Sequence, residues 1–238
     1  MKPHAIFLLI AAFWSVLAIA PAQAEKWQFG LDGFTQIKAS DGLEIKITVG
    51  PKFLVFAEGR KRTLEVVDIR ITGTTLVLSR IPNWKEQLFP WLHDTAKVTV
   101  TISLPEIQRL EADSGSSVAM SGSITQPLTI SARSGVAMSI KDVDGAKLEI
   151  DVASGAVVSV IGTCSSITAI ASSGAVLDAG GLICRTATAE AQSGGNLVIY
   201  GNETLSVSAS SGGNLVAKGG GTVIRAETHA GGNLVIKP

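Results

Sequence analysis

Through the middle of this chain, apolar and polar residues alternate one for one. Leu148, Ile150, Val152, Ala156, Val158 and Val160 share one parity, while Glu149, Asp151 and Ser159 fall on the other. The next stretch repeats the pattern with Ile167, Ala169, Ala171, Ala175, Leu177 and Ala179. Later ones run Leu205, Val207, Ala209, Leu215, Ala217, and then Ile224, Ala226, Leu234, Ile236. A period of two puts alternate side chains on opposite faces of a strand, so each stretch predicts a strand with one buried face. No long helical period occurs outside the first 24 residues.

A slower rhythm overlies the first. Ser114, Ser134, Ser154, Ser173, Ser193 and Ser211 each precede a glycine, and Ala230-Gly231 takes the seventh place, at spacings of 20, 20, 19, 20, 18 and 19. Self-similarity at so constant a period marks a solenoid. About 20 residues at ~3.3 Å each make a coil of roughly 65 Å perimeter, and coils stack at ~4.8 Å. The predicted fold is all-β: a single-stranded parallel β-helix (β-solenoid) with turns of about 20 residues and an N-terminal β cap. Letters one period apart then lie on top of one another. "GGNLV" occurs three times, which predicts an amide ladder of Asn196, Asn214 and Asn233. The parity also carries Ser134, Ser154, Ser173, Ser193 and Ser211 inward with the apolar residues, as a structural hydroxyl ladder. No repeated His accompanies them, so nucleophilic serines are not expected.

The two ends of the chain read differently. Strand-like runs at 43–49, 53–57, 64–71, 76–78 and 98–104 are less periodic. They predict a cap and first strands over 25–104, continuous with the repeats of 105–238 in one domain, because open strand edges recruit other chains. The final "GGNLVIKP" is a full repeat, with Lys237 and Pro238 as edge blockers. A homo-oligomer is expected, through this C-terminal turn or through the small-residue face of Val198, Val216 and Val235.

The start of the chain is an address. Lys2, an apolar run over 5–20 and the small-residue site Ala22-Gln23-Ala24 have the order of a secretory signal peptide, 1–24, cut between Ala24 and Glu25. The run is shorter than the ~20 apolar residues of a span. No membrane span is expected in the mature chain, nor a barrel after Pro238. Export is expected, to the periplasm first, with the cell surface or secretion as alternatives. Of the 20 basic residues the leader takes Lys2, leaving 19 against 20 acidic ones. A net charge near zero gives no reason to expect nucleic acid as a partner.

With strands and turns in place, the stretches "FTQIKASDGLEIKITVG", "LEVVDIRITGTTLVLSR" and "KVTVTISLPEIQRLEADSG", followed by the Ser-Gly turns, resemble a family. It is the bacterial "putative auto-transporter adhesin, head GIN domain" family, and the resemblance runs over residues 34–238. It implies a secreted or periplasmic β-helical domain of unassigned biochemical role. This chain departs from the family's Ser-Gly-Ser-Gly turns, which read "SSGGNLV" or "SGAVV" here, and carries an aromatic-rich "IPNWKEQLFPWLHD".

The remaining chemistry is sparse. Cys164 and Cys184 stand one turn apart, three residues before Ile167 and Ala187, so stacking brings them into disulfide range. A disulfide is favoured in an exported chain, and two buried thiols are the alternative. Trp84, Phe89 and Trp91, near Lys85, Arg80 and His93, either plug the end of the tube or form an aromatic platform for an envelope polysaccharide or protein. Outward carboxylates at Glu111, Asp113, Glu149, Asp151 and Glu190 sit on different turns and read as a solvated face. No cofactor and no metal site are expected, and no catalytic residues. The reading is a non-enzymatic structural or adhesion-like binding module of the bacterial envelope. The alternatives are a polysaccharide-processing enzyme, which convergence of the outward charges in one cleft would favour, and a self-assembling subunit.

Overall fold

The structure is a computed structural model that describes residues 24–81 and 97–238. Its strands are β1 (Glu25–Phe29), β2 (Gln36–Ala39), β3 (Glu44–Val49), β4 (Leu54–Gly59), β5 (Val67–Thr72), β6 (Thr75–Arg80), β7 (Thr99–Leu104), β8 (Arg109–Ala112), β9 (Ser117–Ser121) and β10 (Leu128–Ala132). The long strands β11 (Ala137–Val152), β12 (Val157–Ala171), β13 (Val176–Ala191) and β14 (Asn196–Ser210) follow, then β15 (Asn214–Lys218), β16 (Thr222–His229) and β17 (Asn233–Lys237). A single helical turn, α1 (Lys61–Leu64), ends at the first residue of the strand-like run predicted over 64–71, and the strand itself begins at Val67.

From β8 onward each turn lies in parallel register on the one before, so the fold is the predicted β-solenoid. One inward column runs Ile45, Val118, Met138, Val158, Leu177, Leu197, Leu215, Leu234. All but the last are buried. From β8 to β15 each strand hides its apolar parity in this common core and leaves its polar parity toward water, as the alternation requires, while β16 and β17 of the last coil stay largely exposed.

The start of the tube departs from simple winding. β2 and β3 lie parallel on β8 and β9, but the next coil of the chain, β6 and β7, stacks on their other side. The order of turns in space is therefore second, first, third. Antiparallel strands then finish this end: β5 pairs with β6, β4 with β7, and β1 with β4. The first 104 residues thus hold two coils of the tube as well as its cover. Trp27, Phe29, Val67, Ile69 and Ile71 from the cover strands pack against the core. Phe34 meets Phe53 with ring centroids 5.1 Å apart.

The Ser-Gly steps are corners, and here the inward prediction is corrected. Ser114, Ser134, Ser154, Ser173, Ser193 and Ser211 have φ of 50–55°, and each following glycine 71–75°. Two successive left-handed residues make a type I′ turn, closed by bonds such as Ala156 N–H to Ala153 C=O at 3.2 Å. Both corner residues project outward, so the serines are exposed. The apolar parity resumes two residues later, which is why it seemed to pass through the serine. The column is a backbone ladder: the N–H of Gly115, Gly135, Gly155, Gly174 and Gly194 donates to the carbonyl of the next turn's serine at 3.0–3.3 Å. Asp41-Gly42 forms the same corner, with φ of 63° and 69°, and Gly42 N–H donates to Ser114 C=O.

The repeated "GGNLV" has a local cause. The second glycine, Gly195, Gly213 or Gly232, turns inward beside the preceding coil, and a Cβ there would come within 2.2 Å of the carbonyl oxygen of Ala171, Ala191 or Ala209. The asparagine one position on faces out. Asn214 Nδ2 donates to Asn196 Oδ1 at 3.1 Å, and Asn233 Nδ2 to Asn214 Oδ1 at 3.5 Å.

Candidate functional site

The outward side chains of one sheet face gather into a trough. Lys38, Glu111, Ser131 and Asp151 lie in register across β2, β8, β10 and β11. Gln36, Arg109, Thr129 and Glu149 form the column beside them. β10 contributes the small Thr129 and Ser131 as a floor, while the flanking turns raise Arg109 and Glu111 on one side and Glu149 and Asp151 on the other. The walls are two turns apart, roughly 10 Å. At the corner end stand Asp113 and Arg133. The trough holds about 370 Å³. A neighbouring depression of about 400 Å³ shares Thr129 and Glu149 and extends to Glu106, Gln108 and Lys147.

Charges in the trough are set against one another. Lys38 Nζ lies 3.8 Å and Arg109 3.6 Å from the Glu111 carboxylate, and Arg133 meets Asp151 at 2.6 Å. A hydrogen bond from the Ser134 side chain, with another from the Ser114 backbone N–H at 2.6 Å, holds the Asp113 carboxyl below its ordinary range. The Asp151 carboxylate beside Arg133 raises that guanidinium above its ordinary value. These groups can hold an elongated polar ligand by exchanging internal ion pairs for external ones, at little desolvation cost because the trough is open.

The carboxylates expected as a solvated face are indeed exposed or half-buried, and four of them also share the trough. Different turns of a solenoid are nearest neighbours at ~4.8 Å, so Glu111, Asp113, Glu149 and Asp151 converge. Glu190 stands apart, two turns beyond Asp151 with Ile170 between. Sequence reasoning overlooked Lys38, Arg109, Arg133 and the small floor. Adding the repeat length to each outward position would have placed Arg109, Thr129 and Glu149 in one column.

The other expected sites lie elsewhere. Trp84, Phe89 and Trp91, with Lys85 and His93, fall outside the described residues, and Arg80 ends β6, its backbone N–H donating to Asp41 Oδ2 at 3.2 Å. Cys164 and Cys184 are register partners on β12 and β13, joined by a disulfide with Cα atoms 4.4 Å apart. Val198, Val216 and Val235 form an outward column on the other face. Of the expected signal peptide, 1–23 lies outside the described residues; Ala24 is exposed and Glu25 begins β1. Among the described residues no cluster of His, Cys, Asp and Glu could hold a metal ion, and no helix is long and apolar enough to cross a membrane.

No curated protein matches the sequence. Among solved structures, a "putative adhesin" from Bacteroides fragilis is similar at a TM-score of 0.77 and 16% identity, over 92% of this chain and 98% of that one. A "putative lipid binding protein" from Parabacteroides distasonis reaches 0.70 at 14% identity, over 90% and 96%. A "putative adhesin" from the same organism reaches 0.67 at 12%, over 91% and 98%. At these identities the likeness is one of fold. Residues 33–221, which include the trough and most of the solenoid, match the family described as "Putative auto-transporter adhesin, head GIN domain", and the chain belongs to that family.

Proposed function

We propose that this protein is an exported, non-enzymatic, adhesion-like module of the bacterial envelope that binds an elongated polar glycan in the trough over β10. The observation that carries this reading is the convergence of Lys38, Arg109, Glu111, Asp113, Arg133, Glu149 and Asp151 around the small floor of Thr129 and Ser131. A wall spacing of roughly 10 Å suits a single polysaccharide chain lying along the strand. Mixed charge suits sugars that carry both amino and acidic groups. The adhesin names of the family and of its structural neighbours agree with such a role and with export to the envelope or surface.

A polysaccharide-processing enzyme draws on the same convergence. Against it, a general acid needs a raised carboxyl pKa. Asp113 is shifted the other way, and Glu111 and Asp151 are engaged by basic partners. The test is calorimetric titration with envelope polysaccharides. Binding should be saturable, weaken with salt, and vanish in Ser131→Trp, which fills the floor, with circular dichroism unchanged. Binding that survives Ser131→Trp but is lost in Trp84→Ala/Trp91→Ala would move the site to the aromatic insert. New reducing ends, absent with Asp151→Asn, would establish the enzyme instead.

A further inference from the structure

The last described turn carries the columns of the core with no described strand stacked on them. β16 pairs with β14 and β17 with β15, and no described strand pairs with their outer edges. Ala226, Thr228 and Ile236 continue inward columns yet are exposed, and Ile224, which the register with β14 skips, is 68% exposed. The other end differs. There the apolar columns are roofed by antiparallel strands whose outward faces carry pairs such as Asp68 with Arg70 and Lys26 with Glu58.

We propose that β16 is an interface for a second copy of this chain, paired antiparallel across a two-fold axis at Ala226. The pattern of β16 is self-complementary about that residue. Arg225 and Glu227 both point outward, one residue to either side, and now bond each other along the strand at 2.6 Å. In an antiparallel ladder centred on Ala226, each Arg225 stands directly opposite the other copy's Glu227, and the two Ala226 side chains meet on the core side. Ile224 then lies opposite Thr228, which covers its exposed surface. A two-fold contact uses the same patch on both copies and closes on itself, so the product is a dimer and not a filament. The end of such a coil offers roughly 400 Å² per copy, about half of a standard interface. Dissociation in the micromolar range is expected. The dimer would carry two troughs pointing away from one junction, but it does not depend on the trough binding anything.

Sedimentation equilibrium of the purified full chain, across a thousandfold range of concentration, tests this. A monomer–dimer equilibrium is expected. Arg225→Glu places like charges opposite each other at two symmetric points and should weaken the dimer about tenfold. The charge swap Arg225→Glu/Glu227→Arg should restore it to within about threefold, since the pair is re-formed with its signs exchanged. Ile224→Lys puts a charge in the middle of the edge and should leave monomer. These side chains are exposed, so all three variants should keep the wild-type circular dichroism. Monomer throughout, growth beyond a dimer, a single reversal without effect, or a swap that fails to rescue would each overturn the proposal. A lipid or foreign peptide recovered on this end in place of a second copy would do the same.

Discussion

The two ends of the tube solve one problem in opposite ways. At the N-terminal end, β1, β4 and β5 run antiparallel to the coils they cover and lay Trp27, Phe29, Val67, Ile69 and Ile71 on the core. At the C-terminal end the parallel repeat continues into β16 and β17, and of their residues Leu234 packs half-buried against the core. Lys26 Nζ sits 3.4 Å from the centroid of the Phe56 ring at the covered end, while Ile224 faces solvent at the other. A repeat supplies a neighbour for every turn except the last, so covering an end requires residues that break the repeat.

One inward column measures the difference. Leu197→Ala, in a turn sandwiched by two others, should cost about 3–4 kcal/mol by chemical denaturation, and Leu234→Ala in the same column about 1 kcal/mol or less. Equal losses would mean that the last turn is covered in solution. Removing the disulfide with Cys164→Ala/Cys184→Ala opens a 20-residue link between β12 and β13 and should cost about 3 kcal/mol. The middle would then melt closer to the weak end. Ser154→Val should cost about 1–2 kcal/mol, because a β-branched residue is strained at positive φ; an inward serine would instead have welcomed valine. Asn214→Ala removes both ladder bonds near the open end and should cost about 1 kcal/mol. Amide exchange of β16 and β17 should rise with it while that of β12 stays slow.

The smallest effect is that of acid. Asp113 has its folded pKa lowered, first by Ser134 and then by Ser114. Its contribution is present above the unfolded aspartate value and fades as pH falls through the folded one. Wild type should therefore lose a little more stability than Asp113→Asn below the ordinary aspartate range. At the open end, Arg225 lowers Glu227 likewise, with His229 adding to it. Dimerisation should persist to mildly acidic pH and weaken once Glu227 takes up a proton.

Most of the tube was legible because its causes are local and repeated. Strict alternation assigns the strands, and the 18–20-residue spacing of Ser-Gly steps sets the coil. Stacking then follows for Cys164 over Cys184 and for the asparagine column. The corner was harder to read. Parity alone cannot tell an inward serine from a left-handed one, although Asp41-Gly42 before "LEIKITV" was a type I′ signal within sight.

By itself, the amino-acid sequence determined what depends on neighbours along the chain: strand, turn, period and the parity that faces the core. Tertiary structure alone decided which coil lies on which at the covered end, where β6 and β7 pass to the far side of β2 and β3. It also decided that seven charges from four turns share one trough. The physical reason is the same in both cases. In a parallel stack every residue lies ~4.8 Å from one about 20 positions away, a distance that no pattern within a single turn can express.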